Sequence, residues 1–227
     1  MSQPGSPHGD GPTRLLRFTV SVRWIHGVTG ALILVCIATA AVLYNGSLAV
    51  LVGHRYVVEQ IHVWCGFALP VPLIVGIASP SYRADLRRLN RFTSHDWQWL
   101  RSSTRRDGKI PVGKFNAGQK LNAALSAGSI GVLLGTGVVM YFTNVTRLSW
   151  RSGATFLHDW FSLAFGLLVL GHIVYAVRDP EAMGSMVRGF VSLRWANREH
   201  AAWATESSGE ADAQSKTISP QGSCCGS

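Results

Sequence analysis

Long apolar runs alternate with polar, arginine-rich stretches along this chain, and the lengths of the runs set the first expectation. Four runs are long enough and poor enough in charge to cross a hydrocarbon core about 30 Å thick. They fall at about Trp24 to Tyr44, Glu59 to Ala78, Leu121 to Phe142 and Ala154 to Val177. Pro70 and Pro72 lie inside the second and should kink it, with neighbouring helices satisfying the freed carbonyls. After the fourth run, in "DPEAMGSMVRGFVSLRWANREHAAW", Met183, Met186, Val187, Phe190, Val191 and Trp195 recur at spacings of three and four. That period predicts an amphipathic helix lying on the membrane face or docked on the bundle. The expected fold is therefore all-α: a four-transmembrane-helix bundle with a C-terminal amphipathic helix.

The ends read differently. Residues 1–18 are rich in Pro, Gly and Ser, and the chain from 204 to 227 is rich in Ser, Gly and Glu. Neither has the apolar content to offset the entropy of ordering, so both are expected to be disordered, leaving 19–203 as one domain. No internal repeat is visible. No cleavable signal peptide is expected, because the first apolar run is itself long enough to span.

Charge adds orientation. Of the 227 residues 47% are hydrophobic and only 15% are charged, yet the formal net charge is +9. Eighteen of the twenty-one Lys and Arg residues lie before the first span, between the second and third, or after the fourth; only Arg55, Arg147 and Arg151 lie on the other side. The positive-inside rule then places both termini and the long middle loop in the cytoplasm, the protein being multi-pass in the membrane. Nucleic acid is not an expected partner, because the basic residues avoid the apolar runs and no nucleic-acid motif is present. Cys36 and Cys65 sit in apolar runs and act as small hydrophobes. Cys224 and Cys225 close the polar tail. No CxxC or Cys/His spacing supports a disulfide, zinc or iron–sulfur site.

The chemistry lies in the histidines. The fourth run carries His158 and His172, fourteen residues apart. At about 100° per residue the second imidazole is about 40° from the first, on one helix face. A rise of 1.5 Å per residue separates them by roughly 21 Å along the axis. His26 opens the first span and His62 the second. By depth, His26 matches His172 on the cytoplasmic side and His62 matches His158 on the outer side. Imidazole within a span demands a partner. For a single histidine that partner is more often another helix's hydrogen-bonding group than a metal. Two depth-matched pairs sharing one helix fit two haems b, each held by two axial imidazoles. With both axial positions filled, a haem moves electrons and does not activate oxygen. Zinc fits less well, since Asp159 alone could serve as a third ligand. His8, His54, His95 and His200 lie outside the spans and are not expected to be axial ligands. Gly30, Gly66 and Gly166 would allow a flat macrocycle close to the backbone, although glycine is common in membrane helices anyway. Asp159 could orient an imidazole, contact a partner subunit or face water.

The order and depth of these four histidines resemble the gamma, cytochrome b subunits of membrane-bound formate dehydrogenases, and the likeness covers roughly Arg17 to Trp203. The loop "GKFNAGQK", Gly113 to Lys120, is similar to that family's stretch before its third span, and "GSMVRGFVSLRWANREHAAW" to its cytoplasmic end. The histidine pattern is shared with the cytochrome b anchors of nickel–iron hydrogenases and thiosulfate-type reductases. The resemblance implies haem ligation by His26 with His172 and by His62 with His158. It implies a menaquinone or other quinone site near the cytoplasmic-side haem, at Asn116, Gly118 and Gln119. It also implies an iron–sulfur (beta) subunit on the outer face, and through it a catalytic (alpha) subunit that oxidises formate. The chain would then be the electron-transfer subunit of an oxidoreductase complex, embedded in the lipid bilayer, with no formate-oxidising site of its own. The loop's residue types agree: Asn and Gln side chains and a Gly N–H can donate to a quinone carbonyl. Lys114 and Lys120 should raise the local positive potential. Asn116 is equally a plausible helix N-cap. The chain beyond Trp203 and its first eighteen residues have no counterpart in the resemblance. The rival from another class is a haem-free membrane assembly or anchoring protein.

Overall fold

The computed structural model describes residues 14–104 and 109–218, with side chains described as far as Gly209. A short strand β1 (Arg14–Leu16) leads into α1 (Val20–Tyr44). The short α2 (Gly46–Val52) is capped by Asn45, whose Oδ1 accepts from Leu48 N at 3.1 Å. Next come α3 (Arg55–Ala68) and α4 (Pro70–Gly76), then α5 (Pro80–Leu89) and α6 (Ser94–Arg101). Two long helices follow, α7 (Ala117–Tyr141) and α8 (Leu148–Val177). The chain closes with α9 (Pro180–Arg188), β2 (Phe190–Ser192), α10 (Leu193–Glu199) and α11 (Ala201–Ile218).

Four spans emerge by length and apolarity: α1, α3 with α4 as one 22-residue crossing, α7 and α8. The second breaks at Leu69, where Pro70 takes the first position of α4. Proline lacks the N–H that would continue the ladder, so the kink expected there is a break between two helices. Large apolar side chains point outward along every span, among them Leu34, Ile74, Leu125 and Leu167. That surface is stable in lipid and would be an aggregation liability in water. The interior is a thin seam of Leu69, Ile130 and Phe165, packed against Leu32, Ile33, Cys36 and Leu133. The chain is thus an all-α membrane bundle. α1 lies along α3, and α7 along α8, giving two helical hairpins; α3 touches α7, whereas neither α1 nor α3 packs along α8.

The basic end, which carries β1 and the segment after α8, departs from the expected pattern in three ways. The apolar period after the fourth span does not make one helix. α9 stops at Gly189, whose φ of 93° lies in the left-handed region. The chain then forms β2, which pairs antiparallel with β1 in the register Arg14↔Ser192, Leu15↔Val191 and Leu16↔Phe190. Apolar spacing alone could not see this break, because it depends on one glycine. Second, the segment expected to be unstructured to residue 18 joins that ribbon from Arg14. Third, α11 carries helix through Ile218, beyond the expected domain end at 203. His8 and the Cys224–Cys225 pair lie outside the described residues. Trp195, Trp203 and Ala204 bury Leu15 and Val191 beneath α10 and α11. Phe18, Val22 and Phe115 tie the loop before α7 to the start of α1.

Candidate functional site

Of the four histidines, α1 and α3 carry one each and α8 carries two, and the fold brings His26 beside His172 and His62 beside His158. At the basic end, His26 of α1 and His172 of α8 have ring centres 6.2 Å apart, with ring planes at 55°. At the far end, His62 of α3 and His158 of α8 stand 6.3 Å apart at 66°. α8 therefore supplies one imidazole to each pair, as its fourteen-residue spacing required.

The spacing has a chemical reading. A metal-bound imidazole nitrogen sits about 2.0 Å from the ion, and a ring nitrogen lies about 1.1 Å from its own ring centre, so two rings trans across one ion are about 6.3 Å apart. Both pairs have that separation. Each pair joins helices of different hairpins, α1 to α8 and α3 to α8. Among the described residues, no third His, Cys, Asp or Glu completes a metal cluster. Paired imidazoles from different helices, with no third protein ligand beside them among the described residues, are a donor set that would suit haem iron: His26 with His172 and His62 with His158 would hold it. A Cβ built on Gly30, Gly66 or Gly166 would meet nothing within 4 Å beyond its own helix backbone and chain neighbours.

Two hydroxyls at the far end went unnoticed in the sequence. Thr39 Oγ1 lies 2.9 Å from His62 Nδ1, and Thr136 Oγ1 lies 2.9 Å from His158 Nδ1. Each hydroxyl also donates to its own helix, Thr39 to Val35 O at 2.7 Å and Thr136 to Val132 O at 2.7 Å. A threonine in an apolar helix usually bonds its own backbone, so sequence offered no signal beyond matching depth. At the basic end the corresponding neighbour is Asn122, whose side-chain amide lies 3.4 Å from His172 Nδ1. Asp159 does not orient His158, since Nδ1 of that ring faces Thr136 instead.

The loop before α7 is a built N-terminus. Asn116 Oδ1 accepts from Gln119 N at 2.9 Å, and Gln119 Oε1 accepts from Asn116 N at 3.0 Å, a reciprocal capping box. Gly118 is held against Trp99: a Cβ there would sit 3.2 Å from the indole ring. The two lysines expected to raise the positive potential are each ion-paired. Lys114 Nζ bonds Asp85 at 2.6 Å and Lys120 Nζ bonds Asp96 at 2.7 Å, and all four side chains are largely buried. Burial pulls the Lys114 ammonium below its usual range even though Asp85 acts to raise it. Acids distant in sequence neutralise these charges, which the loop read alone could not reveal.

Among the described residues, His54, His95 and His200 join neither pair. His54 is the residue before α3, and His95 lies in α6. His200 is a core residue, 2% exposed. Its Nδ1–H donates to Gly113 O at 2.6 Å, and its Nε2 accepts from Arg17 Nη2 at 3.2 Å. The Arg17 guanidinium stacks over Trp195 at 4.6 Å. Burial pushes this guanidinium down to about 10, with Asp179 and Asp85 acting the other way. This cluster locks β1, the loop before α7 and α10 together beneath the bundle.

Comparison with known proteins converges on the same chemistry. The sequence profile of the prokaryotic cytochrome b561 family matches residues 17–189. The cytochrome b556(Fdn) subunit of the nitrate-inducible formate dehydrogenase of Escherichia coli K12 is 32% identical over 98 residues. The same subunits of E. coli O157:H7 and Shigella flexneri match to the same extent. These matches cover 42% of this chain and 45% of each relative, so the alignment spans less than half the length of the curated relatives.

Proposed function

The chain belongs to the prokaryotic cytochrome b561 family, and on that premise we propose that it carries electrons through two haems b from a partner at the far end to a quinone at the basic end. That it is a membrane cytochrome b follows from the family and from its four apolar helices. The observation that supports two haems is the pair of imidazole couples at single-metal spacing, one toward each end of the bundle. His26 and His172 would hold one, and His62 and His158 the other. Bound haem supplies one-electron transfer. The protein's part is to fix the four imidazoles, exclude other ligands from the iron and keep the two sites roughly 21 Å apart along α8.

In this reading the quinone is bound beside His172 by Asn116, Gly118 and Gln119. The cap uses Asn116 Oδ1 and Gln119 Oε1 and leaves each side chain its NH₂ donors. The Gly118 N–H lies in the first helical turn, where backbone donors have no intrahelical partner. Asn122, beside His172, adds a further polar group on the same helix. The relatives named for formate dehydrogenase suggest an iron–sulfur subunit and a formate-oxidising subunit as partners. The charge asymmetry supports a bacterial inner-membrane location with both termini cytoplasmic, the donor docking outside. The family profile covers far more of the chain than the formate dehydrogenase match does. A nickel–iron hydrogenase or thiosulfate-type donor is therefore the second reading, and the subunits that co-purify discriminate between them.

The test is a dithionite-reduced minus oxidised spectrum with pyridine-haem quantitation, wild type beside His172→Ala and His158→Ala. About two b-type haems per chain, falling to about one in each variant, is the expected result. A well-folded wild type without haem would overturn the proposal and leave the histidines as helix-packing groups.

A further inference from the structure

The two far-end imidazoles are held in the same way by two threonines that no ligand assignment includes. Thr39 and Thr136 sit on different hairpins, yet their geometries nearly coincide. Each Oγ1 lies 2.9 Å from a histidine Nδ1, 2.7 Å from the carbonyl four residues back, and 3.0 or 3.1 Å from the carbonyl three residues back. A hydroxyl has one proton. Both short contacts to carbonyls require that proton to be donated to the helix backbone. The oxygen then faces Nδ1 with lone pairs only, so Nδ1 must carry the ring proton and Nε2 must be the unprotonated nitrogen. Unprotonated Nε2 is the form that can bind iron. Among the described residues no such hydroxyl serves the basic-end pair, where the side-chain amide of Asn122 lies at a longer 3.4 Å from His172 Nδ1.

We propose that Thr39 and Thr136 are positioning residues for the far-end haem: they fix the ligating tautomer of His62 and His158 and, through Nδ1–H···Oγ1 bonds, lower that haem's reduction potential relative to the basic-end haem. The inference rests on the di-haem reading above. An imidazole that donates from Nδ1 is a more basic ligand through Nε2, and a more basic ligand stabilises the ferric over the ferrous state. Because each hydroxyl is already polarised by its own donation to a carbonyl, it is a stronger acceptor than a lone alcohol. The consequence is an electrical slope built into the bundle. The haem nearer the donor gives up its electron more readily, and electrons run toward the basic end.

The experiment is a redox titration of the full chain in detergent, with low-temperature electron paramagnetic resonance of the oxidised haems. Wild type is run beside Thr39→Val, Thr136→Val, and Thr39→Ser and Thr136→Ser. The component missing in His158→Ala identifies the far-end haem. Each valine is expected to move that haem's potential upward, and Thr39→Val combined with Thr136→Val should approach a tenfold change in ferric preference, which is about 59 mV for a one-electron couple. The low-temperature signal of the same haem should shift, and serine should restore both. Loss of the far-end haem alone in the valine variants, recovered with serine, supports the same role, since such outer partners are worth about 10–100-fold in metal affinity. A far-end potential and signal unmoved at full haem content would overturn the proposal, leaving the hydroxyls to serve only their own helices. Equal loss of both haems in the valine and serine variants would overturn it too. Absence of haem from wild type would instead overturn the di-haem reading itself.

Discussion

At the scale of single residues, ionisable groups divide into those visible from the sequence and those whose role depends on distant partners. The four paired histidines were visible because imidazole is rare and costly inside an apolar span. Their spacing along α8 left only one way to pair them by depth. Lys114 and Lys120 were misleading for the opposite reason. Their neutralising partners, Asp85 and Asp96, lie 29 and 24 residues away. Lys120 is the more heavily committed, because it also donates to Arg91 O at 2.9 Å. Asp96 in turn accepts from Thr93 N at 2.7 Å and so caps α6. Removing one member of a buried pair strands the other, which costs about 3–5 kcal/mol. Lys120→Met is therefore expected to lower the thermal midpoint of the purified protein by that equivalent. Adding Asp96→Asn should recover part of the loss, because the amide carries no charge and its oxygen can still cap Thr93. An unchanged midpoint in Lys120→Met would mean that the pair is solvated and contributes little. Thr39 and Thr136 show the other limit of legibility: a threonine in a span has an ordinary local partner, so only the folded hairpin reveals its second one.

At the scale of elements, boundaries set by length and charge held, and boundaries set by a single backbone angle did not. α1, α7 and α8 overlap the expected spans, and the Pro70 kink became the α3–α4 break. The helix expected after the fourth span failed at Gly189, where the chain must adopt φ 93° to turn into β2. That turn is also a contact. Arg17 N and Phe18 N both donate to Gly189 O, at 2.8 and 3.1 Å. A Cβ on Gly189 would lie 2.8 Å from Phe18 O, a backbone atom that cannot swing aside. Gly189→Ala thus combines an unfavourable dihedral with a clash, and strain of this kind costs about 1–3 kcal/mol. The expected outcome is a lower thermal midpoint together with faster proteolysis before Val20, as β1 leaves the ribbon. Gly30→Ala is the control, because nothing lies within 4 Å of a Cβ there. Should the two variants behave alike, β1–β2 pairing would not be what anchors the N-terminal segment.

At the scale of the whole molecule, the bundle is two hairpins joined by a narrow apolar seam and by the two imidazole pairs. α1 with α3 and α7 with α8 are closely packed, whereas α8 meets the first hairpin through the imidazole pairs and through Phe165 in the apolar seam. The seam of Leu69, Ile130 and Phe165 is narrow. In lipid there is no hydrophobic drive to pull hairpins together, because acyl chains are as apolar as leucine. Haem held by one histidine from each hairpin would then act as the cross-brace that sets their spacing. Linkage makes this measurable: a ligand present at a hundred times its Kd stabilises the state that binds it by about 2.7 kcal/mol per site. Protein produced with haem synthesis limited and protein produced replete are expected to show the same helical content by circular dichroism in one detergent, because each helix is satisfied by its own backbone. The replete form is expected to unfold at a clearly higher temperature. His158→Ala and His172→Ala, each holding one haem, should fall between the two. Equal midpoints for depleted and replete protein would show that the hairpins hold their spacing through the seam and the basic-end cluster of Arg17, Trp195 and His200. The histidine pairs would then be preformed by the fold and not assembled by the group they hold.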